Sequence, residues 1–376
     1  MRERITTRQS PFCTWTLTLL LVLAAMPSMA AQELVLDGQT WTTEGGEARL
    51  VDFQGLKAIY LKSARARLQG VSFENGTIEF DIAFPEERGF CGVEFRVQPE
   101  AGNYEHFYMR PHQSGKPDAN QYTPVFHGNS GWQIYHGPGF GVPVRYRFDR
   151  WMRVRLVVAG SKADIYIGPE GDRPRPTLHV PVLIRDPASG MIALSSNLVG
   201  AYFANVRIQP DDGARIVGSS DAKTELPPGL VGEWDVQGPV SYQSVTAAKS
   251  LSDLDLDDAA WKKLRVEPNG IANLGRVSAR TQQTDTLFAR LVIESDGERQ
   301  RLLRFGYSDD VRVFVNGVPV YAGSNLYQSR DYRYLGTVGL FDALILPLKA
   351  GRNEIVFAVR ENFGGWAIMA ALEDAR

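Results

Sequence analysis

The chain has 376 residues, 44% of them apolar and 22% charged, with a formal net charge of −2. So mild an acidic balance argues against nucleic acid as a partner, because phosphate recognition needs a basic surface. With only two cysteines, Cys13 and Cys91, the chain is no disulfide-stapled scaffold and must be held by its apolar cores.

Residues 1–30 read as a cleavable secretory leader. Arg2, Arg4 and Arg8 precede an apolar run at 15–26, and Ser28, Met29 and Ala30 supply a small-residue cleavage site. The run is shorter than the roughly 20 residues that span a bilayer, and no cysteine beside the cleavage point offers a lipid attachment. The expectation is a periplasmic or secreted protein with no membrane anchor after leader removal. Cleavage would take away three arginines and one glutamate, moving the net charge from −2 to −4, and would leave Cys91 without a partner.

Strand signals dominate the chain beyond the leader. Ile78, Phe80, Ile82 and Phe84 alternate with Thr77, Glu79, Asp81 and Ala83, and Val93, Phe95 and Val97 alternate with Glu94 and Arg96. Cys91 falls at a strand start and reads as a buried, inert thiol. Further strands are predicted at 104–110, 133–136, 152–159, 163–167, 191–195 and 201–208. Short, regularly spaced strands separated by Gly, Pro and Asn predict an antiparallel sandwich.

Within this half, residues 104–136 mix aromatic rings, amides, imidazoles and guanidinium groups with almost no aliphatics. Sugars offer apolar C–H faces for stacking and hydroxyl groups that need paired donors and acceptors, so this mixture suits carbohydrate recognition. Alternation places Glu94 and Arg96 away from the core, and Tyr104, His106, Tyr108 and Arg110 on one face of the next strand. Should the strands pair, these groups form one polar-aromatic patch, which Gln121, Tyr122, His127, Trp132, Gln133 and Tyr135 would complete from the adjoining loop and strand.

Residues 210–228 are polar, free of aromatics and rich in Gly, Ser, Asp and Pro, and read as a linker between a domain at 31–209 and a second at 229–376. Residues 251–264 are the one place where a short helix is expected. Strands are predicted at 286–294, 302–307, 310–315, 318–321, 340–346, 353–359 and 366–372, with Asn316 and Gly317 as a tight hairpin turn. Residues 323–336 concentrate Tyr327, Tyr332, Tyr334, Arg330 and Arg333, either as interdomain packing or as a second sugar loop. The expected fold class is therefore all-β, with two antiparallel sandwiches of jelly-roll type after a leader.

The stretches ENGTIEFDIAF, GVEFRV, WMRVRLVV and GAYFANVRI resemble a concanavalin A-like lectin/glucanase domain, the sandwich shared by laminin-G-like modules. GVEFRV with NYE shortly after it also resembles the 3-keto-disaccharide hydrolase family. The second half, through LRFGYSDDVRVFVNGVPVY, FDALILPLKAGRNEIVFAVREN and GGWAIMA, resembles the galactose-binding-like sandwich appended to glycosidases. These resemblances imply an oligosaccharide or polysaccharide partner.

Catalysis on the first sandwich would need two carboxylates about 5–5.5 Å apart for a retaining mechanism. Laminarinase-like relatives draw them from one strand. Glu79 and Asp81 lack the third carboxylate of that pattern and are expected on a solvated outer face. If the protein is an enzyme, Glu94, Glu105 and His106 are the acid/base candidates. The histidines lack zinc-site spacing, so no metal ligand is expected. No cofactor is expected either: calcium at Asp309-Asp310 would fall short of the ligand count that ion needs. Three functions are expected, in descending order: exported glycan binding, glycan hydrolysis, and non-catalytic surface assembly.

Overall fold

A computed structural model describes residues 32–168, 175–219, 226–330 and 335–374. The expected leader, part of the expected linker, and Tyr332, Arg333 and Tyr334 lie outside the described residues. The chain is all-β, as expected from its period-two patterning.

The first half supplies twelve strands: β1 (Glu33–Leu36), β2 (Gln39–Phe53), β3 (Leu56–Leu68), β4 (Gly76–Ala83), β5 (Phe90–Gln98), β6 (Asn103–Met109), β7 (Asn120–Phe126), β8 (Asn129–Ser130), β9 (Met152–Ala159), β10 (Lys162–Gly168), β11 (Leu178–Val180) and β12 (Met191–Pro210). All belong to one curled antiparallel sheet system. The long strand β12 is its spine. Its first part pairs with β3 and β5, and its second part with β3 and β4. The two strands expected at 191–195 and 201–208 are thus one strand, bent by register shifts at Ser196/Gly200 and Ala204/Arg207.

Strands from 233 to 374 form two further sheets, one of six strands and one of four. Asn316 and Gly317 turn with φ of 49° and 85°, the positive angles a two-residue hairpin requires. The helix expected at 251–264 is instead two 3-10 turns, Leu251–Asp253 and Asp258–Ala260, and then the strand Lys262–Arg265. Side chains compete with helical bonding there: Asp253 accepts from the amides of Lys249 and Ser250, and Asp257 from that of Ala259.

The core of the first half runs on into the second. Phe73, Phe80, Phe107, Tyr122 and Ile134 belong to the same buried cluster as Ile271, Val338, Ala367 and Met369. The expected strand at 133–136 is part of this junction and is a turn, with the amides of Ile134 and Tyr135 both donating to the Gly131 carbonyl. Cys91 is buried, and burial pushes its thiol pKa well up. Asp81, expected in solvent, is 7% exposed and is held by Arg153 and by the Asn205 amide at 2.6 Å. Side chains reaching over from the flanking strands, Arg153 of β9 and Asn205 of β12, cover it.

Candidate functional site

Strand register assembles a polar face across β3, β12, β5, β6 and β7, opposite the core. Glu94 stands across from His106 on one side and Ala193 on the other, His106 from Thr123, and Ala193 from Arg67. One step along, Arg65, Ser195, Gly92, Tyr108 and Gln121 form the neighbouring row. Cys91, Val93 and Phe107, the alternate residues, are buried in the apolar cluster.

Aromatic groups run along β6 on this face. Tyr104 and His106 have ring centroids 5.9 Å apart, and His106 and Tyr108 4.8 Å. The Arg65 guanidinium lies over Tyr104 at 5.3 Å, and that of Arg110 over Tyr108 at 4.9 Å. Arg110 also donates to the Tyr108 hydroxyl at 2.9 Å, to the Asp118 carbonyl at 2.9 Å and to Gln121 Oε1. Gln121 in turn donates from Nε2 to the carbonyls of Trp132 and Tyr135, which fixes the turn that walls this face.

Arg65 ties the other side together. It donates to Glu94 Oε1 at 2.9 Å, to Glu44 at 2.8 Å and to the Tyr104 hydroxyl at 3.3 Å. Burial raises the Glu94 pKa, opposed by the charge of Arg65. Burial also lowers His106 to about 3, with Arg65 and Arg110 adding repulsion, so its ring is neutral at physiological pH. Two buried polar atoms in the Arg67-to-His106 row make no hydrogen bond among the described residues: Arg67 Nε and Glu94 Oε2. The latter lies 2.8 Å from Arg65 Nε, an ionic contact whose proton is directed at Oε1.

Of the sequence-predicted residues, this face therefore unites Glu94, Tyr104, His106, Tyr108, Arg110 and Gln121, with Trp132 at its rim. The others go elsewhere. Arg96 departs because the β5 register shifts between Phe95 and Gln98, where Arg96 takes φ of 52°. Its side chain is fully buried and donates to the carbonyls of Glu74 at 2.9 Å and Gly160 at 2.6 Å. Glu105 and Tyr122 point into the core, where the Tyr122 hydroxyl donates to Glu105 Oε2 at 2.7 Å. The carboxyl of Glu105 is pushed up to about 7 by burial and has no surface for a substrate.

His127, Gln133 and Tyr135 are taken up by the junction between the halves. His127 Nδ1 is 2.9 Å from the Gly275 carbonyl oxygen. Gln133 donates from Nε2 to the Leu335 carbonyl at 2.8 Å and accepts from the Ser308 hydroxyl. The Tyr135 hydroxyl donates to Glu267 and accepts from the Asn273 amide at 2.8 Å. Gln133 and Tyr135 are fully buried, so neither can touch a ligand.

Arg65, Arg67, Glu44 and Ser195 were not singled out in the sequence. Their signal was present for the arginines, since Ala64, Ala66 and Leu68 alternate with Arg65 and Arg67.

No protein-family model matches the chain, and no curated protein matches it. Solved structures do match. The carbohydrate-binding module CBM66 from Bacillus subtilis is 16% identical over 44% of this chain and 92% of its own, with a TM-score of 0.30. A Bacillus subtilis protein of unknown function with a galectin-like fold is 15% identical over 44% and 87%, at 0.28. An anti-sigma factor domain-containing protein is 11% identical over 84% and 80%, at 0.23. Likenesses this distant carry nothing about the site. The β-sandwich is read from the chain's own strands.

Proposed function

We propose that the protein binds a glycan across the polar face of the first sandwich, through the partly exposed Tyr104, His106 and Arg65, with Tyr108 and Arg110 buried beside them as support. The observation that carries this reading is the aromatic ladder of Tyr104, His106 and Tyr108 along β6, with the Arg65 guanidinium over Tyr104 and that of Arg110 over Tyr108. Sugar rings stack on such ladders, and guanidinium groups beside them offer donors to ring hydroxyls. The face is electrically mixed, with Arg65 and Arg67 set against Glu44 and Glu94, which suits neutral polyols better than a strongly charged ligand.

The reading includes two modules, a lectin/glucanase-like one at 31–209 and a galactose-binding-like one at 229–376, joined by 210–228. It also includes export to the periplasm or beyond, which N-terminal sequencing of the mature protein tests. For the site, titration calorimetry against glycans captured on an array is the direct test. Tyr104→Ala and Arg65→Ala should each weaken binding by about tenfold, the order expected for one stacking or charge-assisted contact. Unchanged affinity in both variants would overturn the site.

One observation favours a second reading as a hydrolase. Glu94, its pKa raised by burial, faces across the β5/β6 pair an imidazole that burial keeps neutral, so the carboxyl is the group of the pair suited to exchange a proton, with His106 as a hydrogen-bonding neighbour. Glu94→Gln should then lower turnover of a bound glycan by orders of magnitude, whereas binding alone would survive it with modest loss. Time-resolved product analysis separates the two.

A further inference from the structure

The rim of the polar face carries an aromatic cluster drawn from both halves of the chain. Trp132 has its ring centroid 6.2 Å from Tyr327 and 5.5 Å from Phe363, at interplanar angles of 74° and 58°. Phe363 is 56% exposed. A phenylalanine so exposed is ordinarily free to vary, but this one is held from behind by buried groups.

Asp309, fully buried, accepts on Oδ2 from the amides of Asn362 and Phe363 at 2.8 and 2.7 Å. Glu361, 2% exposed, accepts on Oε1 from the Gly365 amide at 3.0 Å. Between them, Gly364 and Gly365 take φ of 107° and 139°, angles that L side chains rarely adopt. At Gly364 a β-carbon would collide with the Gln133 side chain, and at Gly365 with that of Ile134. The loop is thus pinned by two costly buried carboxylates and pressed on the turn that carries Trp132. Of the residues this fixed loop exposes, Asn362 and Phe363, the second brings a ring to the rim.

We infer that Trp132, Tyr327 and Phe363 form a stacking subsite continuous with the polar face, and that the ligand is an oligosaccharide chain long enough to occupy both. The inference rests on the proposed glycan reading and names its substrate class. Continuity comes from Gln121, which accepts from Tyr108 and Arg110 on the floor and donates to the Trp132 carbonyl at the rim. From β3 to β7 the floor spans four strand spacings, roughly 19 Å at about 4.8 Å each. The platform extends it beyond β7 onto the second half. A rigid ring presented in advance loses little freedom on binding, so its contact is expressed as affinity.

The test uses the intact chain on a printed array of gluco-, manno- and xylo-oligosaccharides graded from disaccharides to octasaccharides, with calorimetry on the glycans retained. Wild-type affinity should rise with chain length. Phe363→Ala should remove about tenfold from the longest ligands and leave disaccharides unchanged, while Phe363→Tyr should restore the long-chain affinity. If the wild-type chain binds glycans and Phe363→Ala keeps its full length dependence, the platform is refuted and the glycan reading stands. If the wild-type chain binds no glycan, the glycan reading fails and the platform with it.

Discussion

Replacing Glu105 with glutamine is expected to flatten the pH dependence of stability between about pH 4.5 and pH 7. The side chain is fully buried. Burial raises its pKa from 4.5 to about 7, against the opposing effects of the Tyr122 hydrogen bond and the charges of Arg185 and Arg96. The unfolded chain gives up this proton near 4.5 and the folded chain only near 7. The contribution to stability is therefore complete below pH 4.5 and is lost as pH rises through 7. At about 1.4 kcal/mol per pKa unit, the loss is about 3 kcal/mol. Glutamine keeps the acceptor for Tyr122 and cannot ionise. Urea unfolding at pH 4.5 and pH 8 should show the difference between the two conditions shrinking by about that amount in the variant. An unchanged difference would mean that Glu105 ionises in the folded state as freely as in the unfolded one.

Loss of the Arg276 guanidinium is expected to destabilise the whole chain by about 3 kcal/mol. Arg276 donates from Nε to Glu267 at 2.7 Å, crosses the junction to donate to the Ile184 carbonyl at 2.6 Å, and lies over the Phe126 ring at 4.5 Å. Glu267 is 8% exposed and also receives the Tyr135 hydroxyl. Removing one partner of a buried ion pair leaves the other charge without compensation, which costs about 3–5 kcal/mol. Arg276 is itself partly open to solvent, which places the effect at the lower end. Arg276→Met should lower the denaturation midpoint by that measure. Because the apolar cluster is shared by both halves, the chain should still unfold in one transition. A variant as stable as wild type would show that the junction does not depend on this pair.

What the sequence made legible was local. Alternation through 78–84 and 93–97 put Glu94 and Phe95 on opposite faces, and the strands observed agree. The six residues Glu94, Tyr104, His106, Tyr108, Arg110 and Gln121 could be grouped because pairing of consecutive strands carries alternation from one to the next. Arg96 could not be placed, since a single bulge reverses every inference from alternation beyond it and leaves no residue signature. Gln133 and Tyr135 were misplaced for a different reason. A junction and a sugar site both call for amides and tyrosines, and only the position of Glu267, Asn273, Leu335 and Gly364 decides between them. Strand β2 was missed because it has a run of four exposed residues, Glu44 to Glu47, at its centre, which erases the period, and β3 was passed over although Ala64, Ala66 and Leu68 alternate with Arg65 and Arg67. With β3 went Arg65 and Arg67, the half of the polar face that comes from far away in sequence.

The most direct measurement of the central claim is backbone hydrogen exchange of the intact chain with and without a glycan retained on the array. Binding across the polar face should slow exchange in Phe90–Gln98, Asn103–Met109 and the amides around Trp132, and leave the hairpin at Asn316 and Gly317 unchanged. Protection confined to the second half, with those strands unaffected, would contradict the account and move the site elsewhere.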